Sequence, residues 1–256
     1  YPAPANQSKS DIYEHVFGDG DESRYPKESV TNFYERASYG KLSIVGEVLP
    51  WYTIDANRSE SDDIQAMIKE GLKYHEGNGV DFSEYDNNSD GIIDAFSVIW
   101  TGPKGEWAST WWGTQRYFYQ QSFTISDKNL GVFTWQSLGG DNSNEDFNPS
   151  TLIHETGHAL GLADYYDYDP LVGPAVEIPV DDMMKNNTGD HNAFSKFMLG
   201  WIEPKVLGSG SQTVDLLPSS TNPDAFIIMP DLTIDKGLSE YFVVQNRDNQ
   251  KNDKTN

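Results

Sequence analysis

The 256-residue sequence contains no cysteine, which excludes a disulfide framework, a thiolate metal site and a cysteine nucleophile. Basic residues are scarce. Only 18 Lys+Arg stand against 40 Asp+Glu, a formal charge of -22, and a surface that holds a phosphate backbone cannot be assembled from that balance, so nucleic acid is excluded as a partner. No stretch approaches the ~18–20 uninterrupted apolar residues of a membrane-spanning helix. The opening segment from Tyr1 has neither the basic stretch nor the apolar core of a secretory leader, so the chain reads as a processed or trimmed piece. Histidine is limited to five positions, and any metal site must draw on imidazole and carboxylate. What remains is a chain long enough to bury a core, as one large domain or as two lobes sharing a cleft.

Hydrophobic periodicity places the main elements. Val30, Phe33, Tyr34 and Ala37 form a helical stripe with Ser29 as cap and Gly40 as stop. Leu42, Ile44 and Val48 alternate as in a half-buried strand. Ser61 is expected to cap a second helix whose apolar face is Ile64, Met67, Ile68, Leu72 and His75. A buried strand is expected over 92–100, with others near 117–125, 131–135, 213–217, 226–229 and 241–245. Asn148 and Pro149 start a helix that runs to Gly161, and Asp190 or His191 starts another that ends at Gly200.

The helix from 148 to 161 carries the chemistry. His154-Glu155-Thr156-Gly157-His158 sets two imidazoles at i and i+4, on one helical face, where they can reach a single ion. Glu155 beside them can take a proton from metal-bound water. Gly161 is able to adopt positive φ, stop the helix and turn the chain back, which brings Asp164 in as third ligand. Three protein ligands with one open position mark a catalytic rather than a structural zinc, and imidazole disfavours calcium there. A purely structural zinc would need a fourth protein ligand, for which His191 is the candidate.

With its extension to Gly161 and Asp164, this segment resembles the zinc signature of the immune inhibitor A-like bacterial metallopeptidases, relatives of the metzincins in which Asp replaces the usual third His. Residues 29–42, 46–52, 182–184 and 189–201 resemble further family segments, so the likeness is scattered over about 28–247. The resemblance implies an α+β zincin/metzincin-like catalytic domain, a twisted mixed sheet with an active-site helix and a smaller C-terminal lobe, divided near residue 164 (about 1–163 and 164–256). Family members usually carry a strand ahead of the segment where this chain starts and more strand sequence after a stretch like 240–247, so both termini are expected to be truncated. The implied function is a secreted, extracellular bacterial zinc endopeptidase acting on protein or peptide through a zinc-bound water activated by Glu155. Met184, in preference to Met183, is implied as the floor of the site (the Met-turn). Tyr165, Tyr166 and His191 are candidate donors to a transition-state oxyanion.

A second cation site is expected at Asp86, Asn88, Asp90, Ile92 and Asp94, which supply oxygens at loop positions 1, 3, 5, 7 and 9 with Gly91 at 6; this is the front half of an EF-hand-like calcium loop. Position 12 is Ser97 rather than a bidentate Glu, so the calcium would be structural. The aromatic run Trp107, Trp111, Trp112, Tyr117, Phe118 and Tyr119 is expected chiefly to pack, with a cleft lining as the other reading. Two rival functions share these residues: a zinc hydrolase of small amides, and a calcium-dependent binding or scaffold protein with a vestigial protease fold.

Overall fold

The computed structural model describes residues 7–23, 25–55, 63–102, 111–120, 122–139, 146–169, 171–172, 178, 181–208, 210–229 and 241–254. Ser61 and Trp107 lie outside them.

The first helices follow their caps. Helix α1 (Lys9–Val16) begins at a capping box in which Ser8 and Asp11 satisfy each other's backbone N–H groups. Sequence periodicity gives no account of this helix. Helix α2 (Val30–Ala37) is capped by Ser29 as expected and buries Val30, Phe33, Tyr34 and Ala37. Helix α3 (Ile64–Gly77) is capped by Asp63, whose side chain accepts from Ala66 N, two positions past the expected cap Ser61.

Among the described residues six strands lie between α3 and the next α-helix: β1 (Ile92–Ile93), β2 (Phe96–Trp100), β3 (Thr114–Tyr117), β4 (Thr124–Ile125), β5 (Lys128–Leu130) and β6 (Val132–Ser137). They form two mixed three-stranded sheets, ordered β1-β5-β4 and β2-β6-β3. The parallel pairs β1·β5 and β2·β6 keep the same 37-residue offset, Ile93 opposite Leu130 and Phe96 opposite Phe133, so one ladder is interrupted around Asp94 and Ala95. The single twisted sheet expected from the family resemblance is thus divided, while the mixed α+β class holds. The strand expected over 117–125 is also divided, into the end of β3 and the short β4.

Alternation along β2 and β6 sends side chains to two cores. Val98, Trp100, Phe133 and Trp135 join α3 residues Ile64, Met67 and Ile68. Ile99 and Leu138 join the other core, where α1, α2 and helix α4 (Ser150–Ala159) meet. Within it Tyr34 donates its hydroxyl to Ile153 O at 2.6 Å, fixing α2 to α4.

After α4 come α5 (Met183–Asn186), α6 (Ala193–Met198) and a third sheet of β7 (Lys205–Leu207), β8 (Phe226–Ile228) and β9 (Phe242–Val244), ordered β7-β8-β9. Helix α6 is capped by Asn192, whose side chain accepts from Ser195 N, in place of Asp190 or His191. Two expected strands are corrected. Residues 42–48 run without a ladder, and 213–217 lead only into an isolated bridge between Pro218 and Asn246. No helix among the described residues is long and apolar enough to cross a membrane.

Candidate metal centre

Helix α4 starts where Asn148 Oδ1 accepts from Ser150 N at 2.9 Å, one position ahead of the formal cap Pro149. It ends in a Schellman motif: Leu162 N donates to Gly157 O at 3.0 Å and Gly161 N to His158 O at 2.9 Å, with Gly161 at φ +100. That bend returns the chain to the helix face carrying His154 and His158. Asp164 arrives there with Oδ1 at 3.0 Å from His154 Nε2 and 3.2 Å from His158 Nε2, and the two Nε2 atoms are 3.1 Å apart.

Proton positions follow from the outer partners. His154 Nδ1 is 2.7 Å from Met183 O and His158 Nδ1 is 2.8 Å from Leu162 O. A carbonyl can only accept, so each Nδ1 carries the hydrogen and, in the neutral ring, each Nε2 presents a lone pair. Burial pushes the His154 imidazole below its ordinary pKa, which favours the neutral form. Asp164 Oδ1 is buried and accepts no hydrogen bond. Three acceptor atoms therefore face one another with no proton between them, an arrangement that repels unless a cation is present. Their separations are close to the ~3.3 Å expected between ligand atoms of a tetrahedral ion with bonds of about 2.0–2.1 Å. Among the described residues these three alone form a group of at least three His, Cys, Asp or Glu donors able to share one metal ion.

Glu155, on the same helix, is buried, and its carboxyl is pushed up to about 7 by burial, with His158 opposing and Asp164 reinforcing the shift. Its one backbone donor is the N–H of Gln115 on β3. Among the described residues β3 is an edge strand, paired only with β6, so its outward side meets Glu155.

The other expected residues are distributed unevenly. Met184 is fully buried, and its Sδ would stand 2.4 Å from a β-carbon added at Gly157, so the thioether packs against α4 at that glycine. Gly157→Ala is expected to cost ~1–3 kcal/mol by overpacking, measured as a chemical-denaturation midpoint. Adding Met184→Ala should recover part of that loss, and no recovery would contradict the contact. Tyr165 has its hydroxyl 2.7 Å from Ser195 Oγ, away from the triad. His191 is 1% exposed and ringed by Phe33, Tyr34 and Trp201; burial lowers its pKa to about 3. Neither is brought to the triad as an oxyanion donor, and His191 is not a fourth ligand. Tyr166 is exposed at 37% and hydrogen-bonds to Tyr168 and Asp164.

In the second cation loop, Asp86 accepts from Asp90 N and Gly91 N at 3.0 Å each, Asp90 from Ile92 N at 2.8 Å, and Asp94 from Asn87 N at 3.1 Å. Lys128 Nζ sits 2.7 Å from Asp86 Oδ2. The carboxylates bind the loop's own backbone and a lysine, and they do not form a second metal-donor group among the described residues. In the aromatic run, Trp111 and Phe118 are buried in the core formed with α3, while Trp112, Tyr117 and Tyr119 are exposed.

Sequence reasoning missed four groups at the site: the carbonyls of Met183 and Leu162, the N–H of Gln115, and Tyr168, whose hydroxyl donates to Asp164 Oδ2. Three are backbone groups, which no residue type announces. Tyr168 was visible only as the last tyrosine of a short run.

The class defined so far is a mixed α+β protein with a His-His-Asp group able to hold a metal. No family model matches the chain. Among curated proteins it is similar to Immune inhibitor A of Bacillus thuringiensis subsp. alesti, 24% identical over a 179-residue alignment that covers 56% of this chain and 26% of the relative. The match thus spans about a quarter of that protein's length, and the likeness is distant.

Proposed function

We propose that this chain is the catalytic part of a secreted zinc endopeptidase, with zinc held by His154, His158 and Asp164. One observation carries the reading: three lone-pair donors, two of them fixed by carbonyl partners, converge within 3.2 Å beside a buried carboxylate. The likeness to Immune inhibitor A lends distant support. Bound there, zinc supplies Lewis-acid polarisation of a carbonyl oxygen and acidification of water.

The chain's own residues do the rest. Glu155 accepts the proton of the attacking water and returns it to the leaving amine. Burial favours that exchange, since a carboxyl near 7 can both take and release a proton at neutral pH. Gln115 N–H holds the carboxylate from the β3 side. The outward edge of β3 favours an extended peptide over a small amide, because a substrate backbone can add to it as a strand. Met184 forms the floor behind α4. Asp86, Asn88, Asp90, Ile92 and Asp94 would hold calcium as the second metal of this reading.

Elemental analysis of the purified chain, paired with hydrolysis of an unfolded protein before and after a zinc-selective chelator, tests both metals. Stoichiometric zinc and cleavage abolished by the chelator and restored by zinc are expected. Zinc without cleavage favours the scaffold alternative, and cleavage confined to small amides favours the amidase. Absence of calcium removes the second metal alone.

A further inference from the structure

Resting on the zinc reading above, we propose that Tyr168 is a positioning residue that fixes Asp164 as a one-oxygen metal ligand. The terminal torsion of an aspartate is broad and roughly two-fold, so rotamer preference does not decide which oxygen faces a metal, or whether both do. At Asp164 the two oxygens have different surroundings. Oδ1 is buried, accepts no hydrogen bond and faces both imidazoles, whereas Oδ2 accepts the Tyr168 hydroxyl. A donor on Oδ2 satisfies that oxygen and keeps it turned away from the histidines. Oδ1 is left as the single atom of this side chain presented to the ion.

The surrounding segment holds that geometry. Tyr165 N donates to Met184 O at 2.9 Å and its hydroxyl lies 2.7 Å from Ser195 Oγ, which pins the chain immediately after Asp164 to the floor of the site. The Tyr166 and Tyr168 rings lie 4.9 Å apart, one supporting the other. Tyr168 is itself 75% exposed, so its ring adds little to the core and its contact with Asp164 is not a by-product of packing. Hydrogen-bonded partners of metal ligands commonly contribute about 10–100-fold to metal affinity.

Tyr168→Phe keeps the ring and removes only the hydroxyl. Zinc affinity of the full chain, read by competition with a chromophoric chelator, is expected to fall about tenfold or more. The thermal midpoint of the metal-free protein should be unchanged. Wild-type affinity in the variant overturns the proposal while leaving the zinc reading intact. A metal-free midpoint that drops together with affinity also overturns it, by showing a structural role. A wild-type chain that takes up no zinc overturns both.

Discussion

Glu155→Gln is expected to lower kcat/KM on an unfolded protein substrate by about 10²–10⁴-fold while zinc content stays at the wild-type level. The substitution is nearly isosteric, and the amide oxygen can still accept from Gln115 N–H, so the β3 side of the cleft is retained. What disappears is the basic oxygen that moves the proton. The triad itself is untouched, because Glu155 shares none of the 3.0–3.2 Å contacts among His154, His158 and Asp164. Stability should move in the opposite direction. Burial raises the carboxyl to about 7 in the folded chain, above its unfolded value near ~4.3, so the ionised form costs stability as pH rises between those two values. The neutral amide removes that cost. In metal-free protein at pH 8 the Gln variant should therefore melt no lower than wild type, with any advantage vanishing below pH 4. Cleavage at the wild-type rate by a variant free of contaminating protease would show that the base lies elsewhere.

The residue replaced is legible in the sequence, whereas the Gln115 N–H that holds it is not, and the contrast is physical. His154, Glu155, His158, Gly161 and Asp164 announce themselves because their chemistry is in the side chain and their spacing follows helix geometry. The groups that orient them, the carbonyls of Met183 and Leu162 and the N–H of Gln115, belong to the backbone and depend on the tertiary fold. Strands show the same limit. Leu42, Ile44 and Val48 alternate because they pack against the core where α1, α2 and α4 meet, yet alternation reports a buried face and not a ladder. There the carbonyl of Ile44 is taken by Thr31 Oγ1 at 2.7 Å, a side chain standing in for a neighbouring strand. Over 213–217 the apolar residues Val214 and Leu217 are exposed, so the pattern has no face to bury. Helix α6 was legible, but its cap was misplaced because Asp190 is committed to a charge network.

That network carries the other large effect. Asp190 is 3% exposed, and its Oδ2 receives Arg36 Nη1 at 2.8 Å and Lys196 Nζ at 2.9 Å. Arg36 is further clamped by both oxygens of Glu28, at 2.7 and 2.8 Å, and Lys196 also reaches Tyr39 and Ser219 O. Asp190 N donates to Asp253 Oδ1 at 2.8 Å, so α2, α6 and the C-terminal segment meet at one residue, the first two at its carboxylate and the third at its backbone N–H. Buried Lys196 and half-buried Arg36 are balanced by two carboxylates, Asp190 and Glu28. Asp190→Asn leaves one positive charge uncompensated, for which the expected loss is about 3–5 kcal/mol. For a chain of this size that is a fall in melting temperature of roughly 6–20 °C.

Burial by itself would push the Asp190 carboxyl up, but the charges of Arg36 and Lys196 outweigh it and hold the pKa well below the usual carboxylate range. A depressed folded value means the stabilisation is fully present above the unfolded pKa near ~3.9 and is lost as pH falls toward the folded one. The wild-type advantage over Asp190→Asn should therefore be constant from pH 5 to 8 and shrink only in stronger acid. Charge balance also predicts non-additivity: Lys196→Met added to Asp190→Asn removes the orphaned cation, so the double variant should lose less than the two single losses combined. Strict additivity, or a single variant melting with wild type, would mean that the cluster is solvated enough for water to replace the carboxylate. Because Asp190 directly precedes His191, which packs beneath Gly157 of α4, weakening the cluster should also loosen the helix that carries both histidines, and zinc retention should fall in the order of the melting temperatures.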